Sequence, residues 1–174
     1  MKKLLLHVCC APCSTHAIEL MKKEHDVALF FSNSNIFPRD EYERRLENAR
    51  KIAEIHDIEL IEDNYDHNAW LNHIKGLEPE PEGGKRCPKC WEFNLGRTAD
   101  YAARRGFELF TTTLTISPHK NSKAIFEAGK RLDNARFLEI DFKKNDGFRH
   151  STELSKKLDL YRQNYCGCEF SMRK

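Results

Sequence analysis

The sequence lacks several features that would assign it to a specialised class of protein. No stretch approaches the roughly 20 consecutive apolar residues that cross a bilayer, and the apolar run Leu4–Leu6 is too short for a secretory signal. There is no internal repeat and no low-complexity tract. Neither sign of charge is in excess, since 29 Lys and Arg against 27 Asp and Glu leave a net charge of +2. We expect a single cytoplasmic domain over residues 1–174, with no membrane partner, whose nucleic-acid contacts could come only from local basic patches.

Isolated cysteines are also lacking. A cysteine that serves as a small apolar residue would appear singly at a core position. Instead, all seven cysteines fall into three clusters, which are Cys9, Cys10 and Cys13, then Cys87 and Cys90, then Cys166 and Cys168. A reducing compartment disfavours structural disulfides, and an odd number of cysteines cannot pair completely. Short spacing within clusters that lie far apart in the sequence therefore predicts convergence on a metal.

Short apolar runs alternate with longer segments of helical periodicity. We predict strands over residues 3–8, 26–31, 58–61, 107–112 and 136–140. Predicted helices cover about 12–24, a long segment after Pro38, 68–74, a segment from Pro88, 121–130 and 151–161. The Pro- and Gly-containing segment 76–86 is predicted to be a flexible loop. This alternation indicates an α/β fold with a parallel, doubly wound sheet of about five strands and flanking helices.

Polar and cysteine-containing segments follow three of the predicted strands. The first cysteine cluster follows the first strand, the loop Ser32–Asn35 follows the second, and the segment Thr111–Lys120 ends the fourth. Ligands of open parallel sheets bind beyond the carboxyl ends of the strands. The candidate chemistry is therefore predicted to lie along one edge of the sheet.

The spacing within the cysteine clusters indicates what they bind. Cys10 and Cys87 each precede a proline that suits a first helical turn, so we expect both at helix N-caps, where the helix dipole favours the thiolate. A cubane iron–sulfur cluster or a closed zinc site takes four thiolates, which leaves three of the seven cysteines. Adjacent side chains of an extended chain diverge, so Cys9 and Cys10 are not expected to bind one metal ion. We infer a four-thiolate cluster beside a second metal or reactive thiols.

Two other interpretations of the cysteines remain open. A structural zinc would explain four cysteines but not seven along the functional edge of a sheet. A thioredoxin-like dithiol would explain Cys10-Ala11-Pro12-Cys13 after a strand, but it leaves the other two clusters without a role.

The order of motifs resembles that of the QueH-type epoxyqueuosine reductases, the cobalamin-independent enzymes of the last step of queuosine synthesis. The resemblance covers nearly the whole chain, and its most specific part is the segment from Tyr161 to Cys168. The matching motifs are His7–Ser14, Asn33–Pro38 with Tyr42 and Arg45, Arg86–Cys90, Phe110–Lys120 and Leu160–Ser171.

The resemblance implies a HUP-like sheet, a [4Fe-4S] cluster with an adjacent mononuclear iron or similar metal, and a substrate held in tRNA. The implied reaction removes the epoxide oxygen from epoxyqueuosine at the wobble position of a GUN anticodon, giving queuosine and water. Its electrons would come from a ferredoxin- or flavodoxin-like donor. The chain has no Ser-Gly-Gly-x-Asp-Ser phosphate loop, which argues against a role for ATP.

Within this resemblance, the number and adjacency of the cysteines suggest a division between the two metals. It gives the cluster Cys10, Cys87, Cys90 and Cys168. It gives the second, catalytic iron Cys9, Cys13 and Cys166. An epoxide C–O bond breaks more easily when its oxygen is bound to a Lewis acid, and the cluster can supply electrons singly.

Candidate substrate-binding residues lie near the strand ends and before the last cysteines. Asn33 and Asn35 are candidates for hydrogen bonds to the cyclopentane hydroxyls or a base edge, with turn formation as the competing role. The other candidates are Thr112, Thr113 and Ser117 as pocket residues, His119 and Lys120 for phosphate contact or proton supply, and Arg162 and Gln163 for orienting the cluster or tRNA. His7, in an apolar strand, is interpreted as a core histidine.

Contacts to tRNA could involve basic loop residues and aromatic rings. The basic candidates are Lys85, Arg86, Lys89, Lys143, Lys144 and Arg149. Exposed loop bases stack on aromatic side chains, for which Phe37, Trp91, Phe148 and Tyr161 are available, with core packing as the competing use. Two alternative functions stay open, an ATP-dependent iron–sulfur tRNA sulfur transferase and a zinc-stabilised RNA-binding module.

Overall fold

A parallel sheet flanked by helices on both faces forms the centre of the computed structural model, which describes residues 1–172. The strands are β1 (Lys2–His7), β2 (His25–Phe31), β3 (Leu60–Glu62) and β4 (Leu109–Thr112), in the spatial order β3-β2-β1-β4. The helices are α1 (Ala11–Met21), α2 (Arg39–His56), α3 (His67–His73), α4 (Arg86–Arg104), α5 (Ser122–Asp133) and α6 (Gly147–Lys157), with 3-10 helices at Thr113–Ile116 and Glu169–Ser171. The predicted α/β class and parallel sheet are confirmed.

Alternation along β1 explains why both faces of the sheet are covered. Leu4 and Leu6 are buried on one face, in a core that includes Ile18 of α1 and Leu46 of α2. Leu5 is buried on the other face, against residues of α4 and β4. A strand that is apolar on both faces is typical of a parallel sheet enclosed between helices.

The prediction of a fifth strand over 136–140 is wrong, because this segment makes only an isolated bridge between Phe110 and Phe137. Beyond the bridge, the carbonyls of Leu138 and Ile140 accept hydrogen bonds from the Thr111 and Thr115 hydroxyls at 2.7 and 2.8 Å. The chain after β4 turns into a 3-10 helix at Thr113, so it offers no strand backbone with which to continue the pairing.

The first residues of α1 and α4 fix the position of the cysteines. Cys10 is the N-cap of α1, and its sulfur accepts a hydrogen bond from the Cys13 amide at 3.3 Å, as predicted. The N-cap prediction for Cys87 is wrong, because α4 begins at Arg86 and its N-cap is Lys85, two residues before Cys87. The Cys87 sulfur instead accepts from the Gly83 amide at 3.2 Å.

The segment between α3 and α4 contains neither helix nor strand and is made of successive turns. The Gly84 amide donates to the Pro81 carbonyl at 2.9 Å, and the Lys85 amide donates to the Glu80 carboxylate at 3.1 Å. Its flexibility stays a prediction. None of the helices within residues 1–172 has the length and apolar character needed to cross a bilayer.

Candidate metal centre

A cavity of about 270 Å³ lies beyond the carboxyl ends of the strands, at the edge that the sequence predicted. Its walls come from the loops after β1 and β2, the segment before α5, helix α4 and the chain after α6. The cysteines that line it are Cys9, Cys13, Cys90 and Cys166.

The first cysteine cluster brings three sulfur atoms together. The Sγ atoms of Cys9, Cys10 and Cys13 lie within 4.8 Å of one another, and those of Cys10 and Cys13 are in bonding contact, with their Cα atoms 5.4 Å apart. The expectation that Cys9 and Cys10 diverge is wrong, because Cys9 lies at a bend rather than in extended chain. With Cys10 and Cys13 reduced to separate thiols, this group could hold a metal ion.

The other four cysteines surround a second cavity of about 100 Å³ next to the first. Cys87 and Cys90 reach it from α4, and Cys166 and Cys168 reach it from the chain near the C-terminus. Cys90 and Cys166 line both cavities, so the two cysteine groups are neighbours. This grouping differs from the predicted division in that Cys10 lies with Cys9 and Cys13, while Cys166 also lies with the other group.

Burial controls the protonation of these sulfurs. Burial raises the pKa of Cys90 well above its ordinary value, and the neighbouring Cys166 raises it further. Burial likewise raises the pKa values of Cys87 and Cys9. Burial therefore favours the neutral thiol at these three positions. A bound cation would stabilise the thiolates instead, which fits the donor set of this pocket to a thiophilic metal.

Lys120 is a buried cation that lies near cysteines of both groups. Burial acts to lower the pKa of Lys120, but the nearby Cys166 and Cys9 outweigh it and raise the pKa above the usual lysine value. Its side chain lines both cavities and carries its positive charge between the two groups of sulfur ligands.

Arg45 holds the last cysteine cluster in place from α2. Its guanidinium donates to the Cys166 carbonyl at 2.7 Å and to the Tyr165 carbonyl at 3.0 Å, and it pairs with Glu41 at 2.8 Å. The Phe37 amide donates to the Gly167 carbonyl at 2.9 Å. Gly167 has φ +150°, and a Cβ there would lie 3.0 Å from the Asn35 amide nitrogen, so the turn between Cys166 and Cys168 needs glycine.

Asparagines form the polar wall of the cavity. The Asn33 amide donates to the Val8 carbonyl at 2.9 Å, and the Asn35 carbonyl oxygen accepts from the Asn94 amide at 2.9 Å. All three are buried and line the cavity. Asn33 therefore supports the end of β1, while Asn35 and Asn94 form a pair facing the cysteines.

The remaining predicted substrate residues divide into two groups. Ser117, His119, Lys120, Arg162 and Gln163 line the cavity. Thr112 and Thr113 are buried and are not among its lining residues. Thr112 meets His7 Nδ1 at 2.9 Å, and Thr113 accepts from the Cys9 amide at 3.2 Å, so both support the site from beneath.

His7 is a core histidine, as interpreted from the sequence. Its ring nitrogens are 2.9 Å from the Thr112 hydroxyl and 2.9 Å from the Ser32 carbonyl. Burial lowers the pKa of His7 to about 4, so the ring is neutral at pH 7.

Two of the basic residues considered for tRNA contact are used inside the protein. Arg86 is 1% exposed, and its guanidinium binds the Glu78 and Glu80 carbonyls, which fixes the turns before α4. The Lys143 ammonium donates to the Thr115 carbonyl at 2.6 Å and to the Ser122 hydroxyl at 2.7 Å. Neither is available to a polyanion.

Several polar residues that line the cavity had no site role predicted from the sequence, among them Arg45, Asn94, Ser151 and Tyr165. A signal existed for Asn94, since it follows Cys90 by four residues and so shares its helix face. A buried arginine that binds carbonyls from a distant segment has no local signal.

A further group of potential ligands lies outside the cavities. Atoms of His16, Glu19 and His150 lie within 4.8 Å of one another where α1 meets α6. The His150–Glu19 hydrogen bond of 3.2 Å and the edge-on contact of the two imidazole rings explain this group as a helix-packing contact.

Comparisons with known proteins identify relatives over nearly the whole chain. The sequence profile of the family described as epoxyqueuosine reductase QueH matches residues 4–174. A protein of that name from Streptococcus pyogenes serotype M1 is 41% identical, over 98% of this chain and 70% of its own length. Those from Staphylococcus epidermidis and Thermotoga maritima are 38% and 39% identical, each over 99% of this chain and over 77% and 91% of their own lengths.

A solved structure shares the fold. It is a crystal structure described as a predicted subunit of tRNA methyltransferase from Methanocaldococcus jannaschii. The TM-score is 0.60 at 14% identity, over 88% of this chain and 75% of the other.

Proposed function

Because the chain belongs to the epoxyqueuosine reductase QueH family, we propose that its cysteine-lined cavities reduce epoxyqueuosine to queuosine in tRNA. The chain is thus an oxidoreductase that acts on tRNA. The observation that carries this proposal is the meeting of the three distant cysteine clusters at two adjoining cavities, which six of the seven cysteines line, while Cys10 contacts Cys13.

The two groups of cysteines support a particular division of the metal ligands. Cys87, Cys90, Cys166 and Cys168 would hold a [4Fe-4S] cluster, which takes four thiolates. Cys9, Cys10 and Cys13 would hold the second iron or a similar metal. When bound, these groups supply electrons singly and a Lewis acid for the epoxide oxygen, without cobalamin or ATP.

The side chains of the cavity would bind the substrate and supply protons. Ser117 and the Asn35–Asn94 pair offer hydrogen bonds to the cyclopentane hydroxyls or a base edge. Lys120 holds a proton on Nζ beside both cysteine groups and would give it to the departing epoxide oxygen. Two electrons and two protons convert the epoxide to an alkene and water. His119, also lining the cavity, would return the proton to Lys120.

The wider expectations belong to the same proposal. The chain would act as one HUP-like domain in the cytoplasm, on tRNA with a GUN anticodon, with electrons from a ferredoxin- or flavodoxin-like donor. The asparagine wall beside the cysteines, in an open cavity of about 270 Å³, suits a single modified base that has left the anticodon stack.

Anaerobic turnover tests the proposal. Protein reconstituted with iron and sulfide is incubated with epoxyqueuosine-containing tRNA and a strong reductant, and the nucleosides are analysed by mass spectrometry. We expect queuosine to form without cobalamin or ATP, and Lys120→Met to reduce kcat about 100-fold, within the range of a lost proton donor. Colourless protein that binds zinc and the tRNA but leaves the epoxide intact would contradict the proposal and favour an RNA-binding module. A requirement for ATP would favour a sulfur transferase.

A further inference from the structure

An exposed aromatic ring lies at the rim of the larger cavity. Phe148, in the first turn of α6, is 40% exposed and lines the cavity together with Arg162. The other large apolar side chains exposed within residues 1–172 are Met1, Phe37, Ile55 and Met172, and none of these lines the cavity. Phe148 is therefore the exposed large apolar side chain, within the described residues, that an occupant of the cavity could cover.

The chain holds the ring in position. Gly147 precedes it at the start of α6, where a Cβ would overlap the Phe142 carbonyl oxygen and come within 3.1 Å of the His16 ring. The glycine therefore lets α6 begin in close contact with the rest of the protein. Phe148 therefore follows a backbone position that is held against the rest of the protein.

Arg162 adds a second planar group beside the ring. Its guanidinium carbon lies 5.6 Å from the Phe148 ring centroid. Its terminal nitrogens are 3.4 Å from the Ser155 hydroxyl and 3.3 Å from the Thr152 hydroxyl, both on α6. Within the described residues Arg162 has no acidic partner, so its charge is directed to solvent at the rim.

We propose that Phe148 and Arg162 form a stacking platform for an unpaired tRNA base next to the modified nucleotide. This inference rests on the proposed function, in which the modified base enters the cavity. A base that leaves the stack exposes the face of its neighbour. Unpaired RNA bases stack on aromatic rings and on arginine guanidinium planes, and the positive charge of Arg162 also favours the adjoining phosphate. The Phe148 ring and the Arg162 guanidinium lie at the entrance of the larger cavity rather than inside it. They are therefore placed to contact the base next to the modified nucleotide and not the reacting base itself.

Binding measurements test the platform directly. The ligand is an anticodon stem-loop that carries epoxyqueuosine, and its Kd is measured anaerobically with the reconstituted protein. Phe148→Ala should weaken binding roughly 5- to 150-fold, the range found for loss of base–aromatic stacking. Phe148→Tyr should bind like the wild type, while Phe148→Leu should be as weak as Phe148→Ala. The matched control is Ile55→Ala, which removes an exposed apolar side chain from α2, outside the cavity, and should leave Kd unchanged.

A fluorescent base reports stacking itself. With 2-aminopurine placed on the 5′ or the 3′ side of the modified nucleotide, binding to wild-type protein should quench one of the two labelled stem-loops, and Phe148→Ala should abolish that quenching. Equal Kd values for wild type and Phe148→Ala, or full retention of affinity by Phe148→Leu, would overturn the platform. Turnover by the wild type tests the proposed function separately. If the wild type forms queuosine and Phe148→Ala binds the stem-loop as tightly as the wild type, only the stacking platform is refuted.

Discussion

Arg45 supports the candidate site through the backbone of the last cysteine cluster. Its side chain is 2% exposed, and it meets the backbone of the last cysteine cluster through two carbonyls. Buried carbonyls of a segment without helix or strand need donors, and here a charged group from α2 supplies them. At this scale, the position of Cys166 and Cys168 is determined by α2 as much as by their own segment.

Loss of Arg45 should therefore unseat these cysteines. We expect Arg45→Met to lower the free energy of unfolding by about 3–5 kcal/mol, since it removes the charged partner of the largely buried Glu41, to which the Tyr161 hydroxyl still donates, and removes the donor of the Tyr165 and Cys166 carbonyls. Iron and sulfide content after reconstitution should fall as well. The control is Arg39→Met, which breaks a pair with Glu43 at the same spacing on the same helix but 65% and 47% exposed, and should cost about 0.5 kcal/mol or less. Equal losses in the two variants, measured by urea unfolding, would refute this role of Arg45.

Asp63 provides a pH-dependent contribution to stability. Burial acts to raise the pKa of Asp63, but hydrogen bonds from Arg97 and Ser32 outweigh it and lower the pKa. A carboxyl with a lowered folded-state pKa stabilises the protein above its unfolded pKa, and this contribution is lost as the pH falls through the folded value.

We thus expect the difference in unfolding free energy between wild type and Asp63→Asn to be constant from pH 7 down to about pH 5 and to shrink below about pH 4. Urea unfolding across this range measures it. A difference that stays the same at pH 3 would show that the ionised Asp63 carboxylate contributes nothing.

At the scale of elements, the end of β4 explains the shape of this edge of the sheet. The Thr115 hydroxyl donates to the Ile140 carbonyl at 2.8 Å and accepts from the Phe142 amide at 3.1 Å. Hydrogen bonds to the Thr115 side chain thus take the place of the backbone pairing that a strand over residues 136–140 would make. The same replacement lets the chain turn into the 3-10 helix and carry Ser117 to Lys120 into the cavity wall.

Thr115→Val tests this replacement, because valine keeps the shape and leaves a buried carbonyl and a buried amide without partners. We expect a destabilisation of about 1–3 kcal/mol for each group left unpaired. Thr98→Val is the matched control. Thr98 is equally buried, but its hydroxyl donates only to the Asn94 carbonyl within α4, and the loss should be smaller. Thermal unfolding of both variants compares them, and a Thr115→Val variant no less stable than Thr98→Val would contradict the role of the hydroxyl.

The sequence was informative wherever one local rule decided the outcome. Cys10 and Pro12 mark the start of α1, the apolar runs mark the four strands, and the position of polar segments after strands predicts the edge that holds the site. The prediction of a fifth strand over 136–140 is wrong because the hydroxyls of Thr111 and Thr115 bind carbonyls of that segment. The grouping of the cysteines also depends on tertiary position, since the bend at Cys9 overrides the alternation expected of an extended chain.

For the whole molecule, the question with the widest consequences is which cysteines hold which metal. The two possible divisions differ in the places of Cys10 and Cys166. The number and adjacency of the cysteines predict Cys10 as a cluster ligand, whereas in the structure Cys10 lies with Cys9 and Cys13, and Cys166 lines the second cavity. A serine in place of a cluster ligand should lose acid-labile sulfide together with most of its iron, since a [4Fe-4S] cluster depends on all its thiolates.

Single Cys→Ser variants therefore distinguish the divisions after anaerobic reconstitution, with iron and sulfide assayed per protein chain. We expect Cys166→Ser to lose most sulfide and Cys10→Ser to keep it while losing about one iron, because the chemistry of the trio requires no inorganic sulfide. Cys168→Ser, a cluster ligand in both divisions, is the positive control for sulfide loss. The opposite result, in which Cys166→Ser keeps its sulfide and Cys10→Ser loses it, would support the division predicted from the adjacency of the cysteines. The ligands of the second iron would then be Cys9, Cys13 and Cys166.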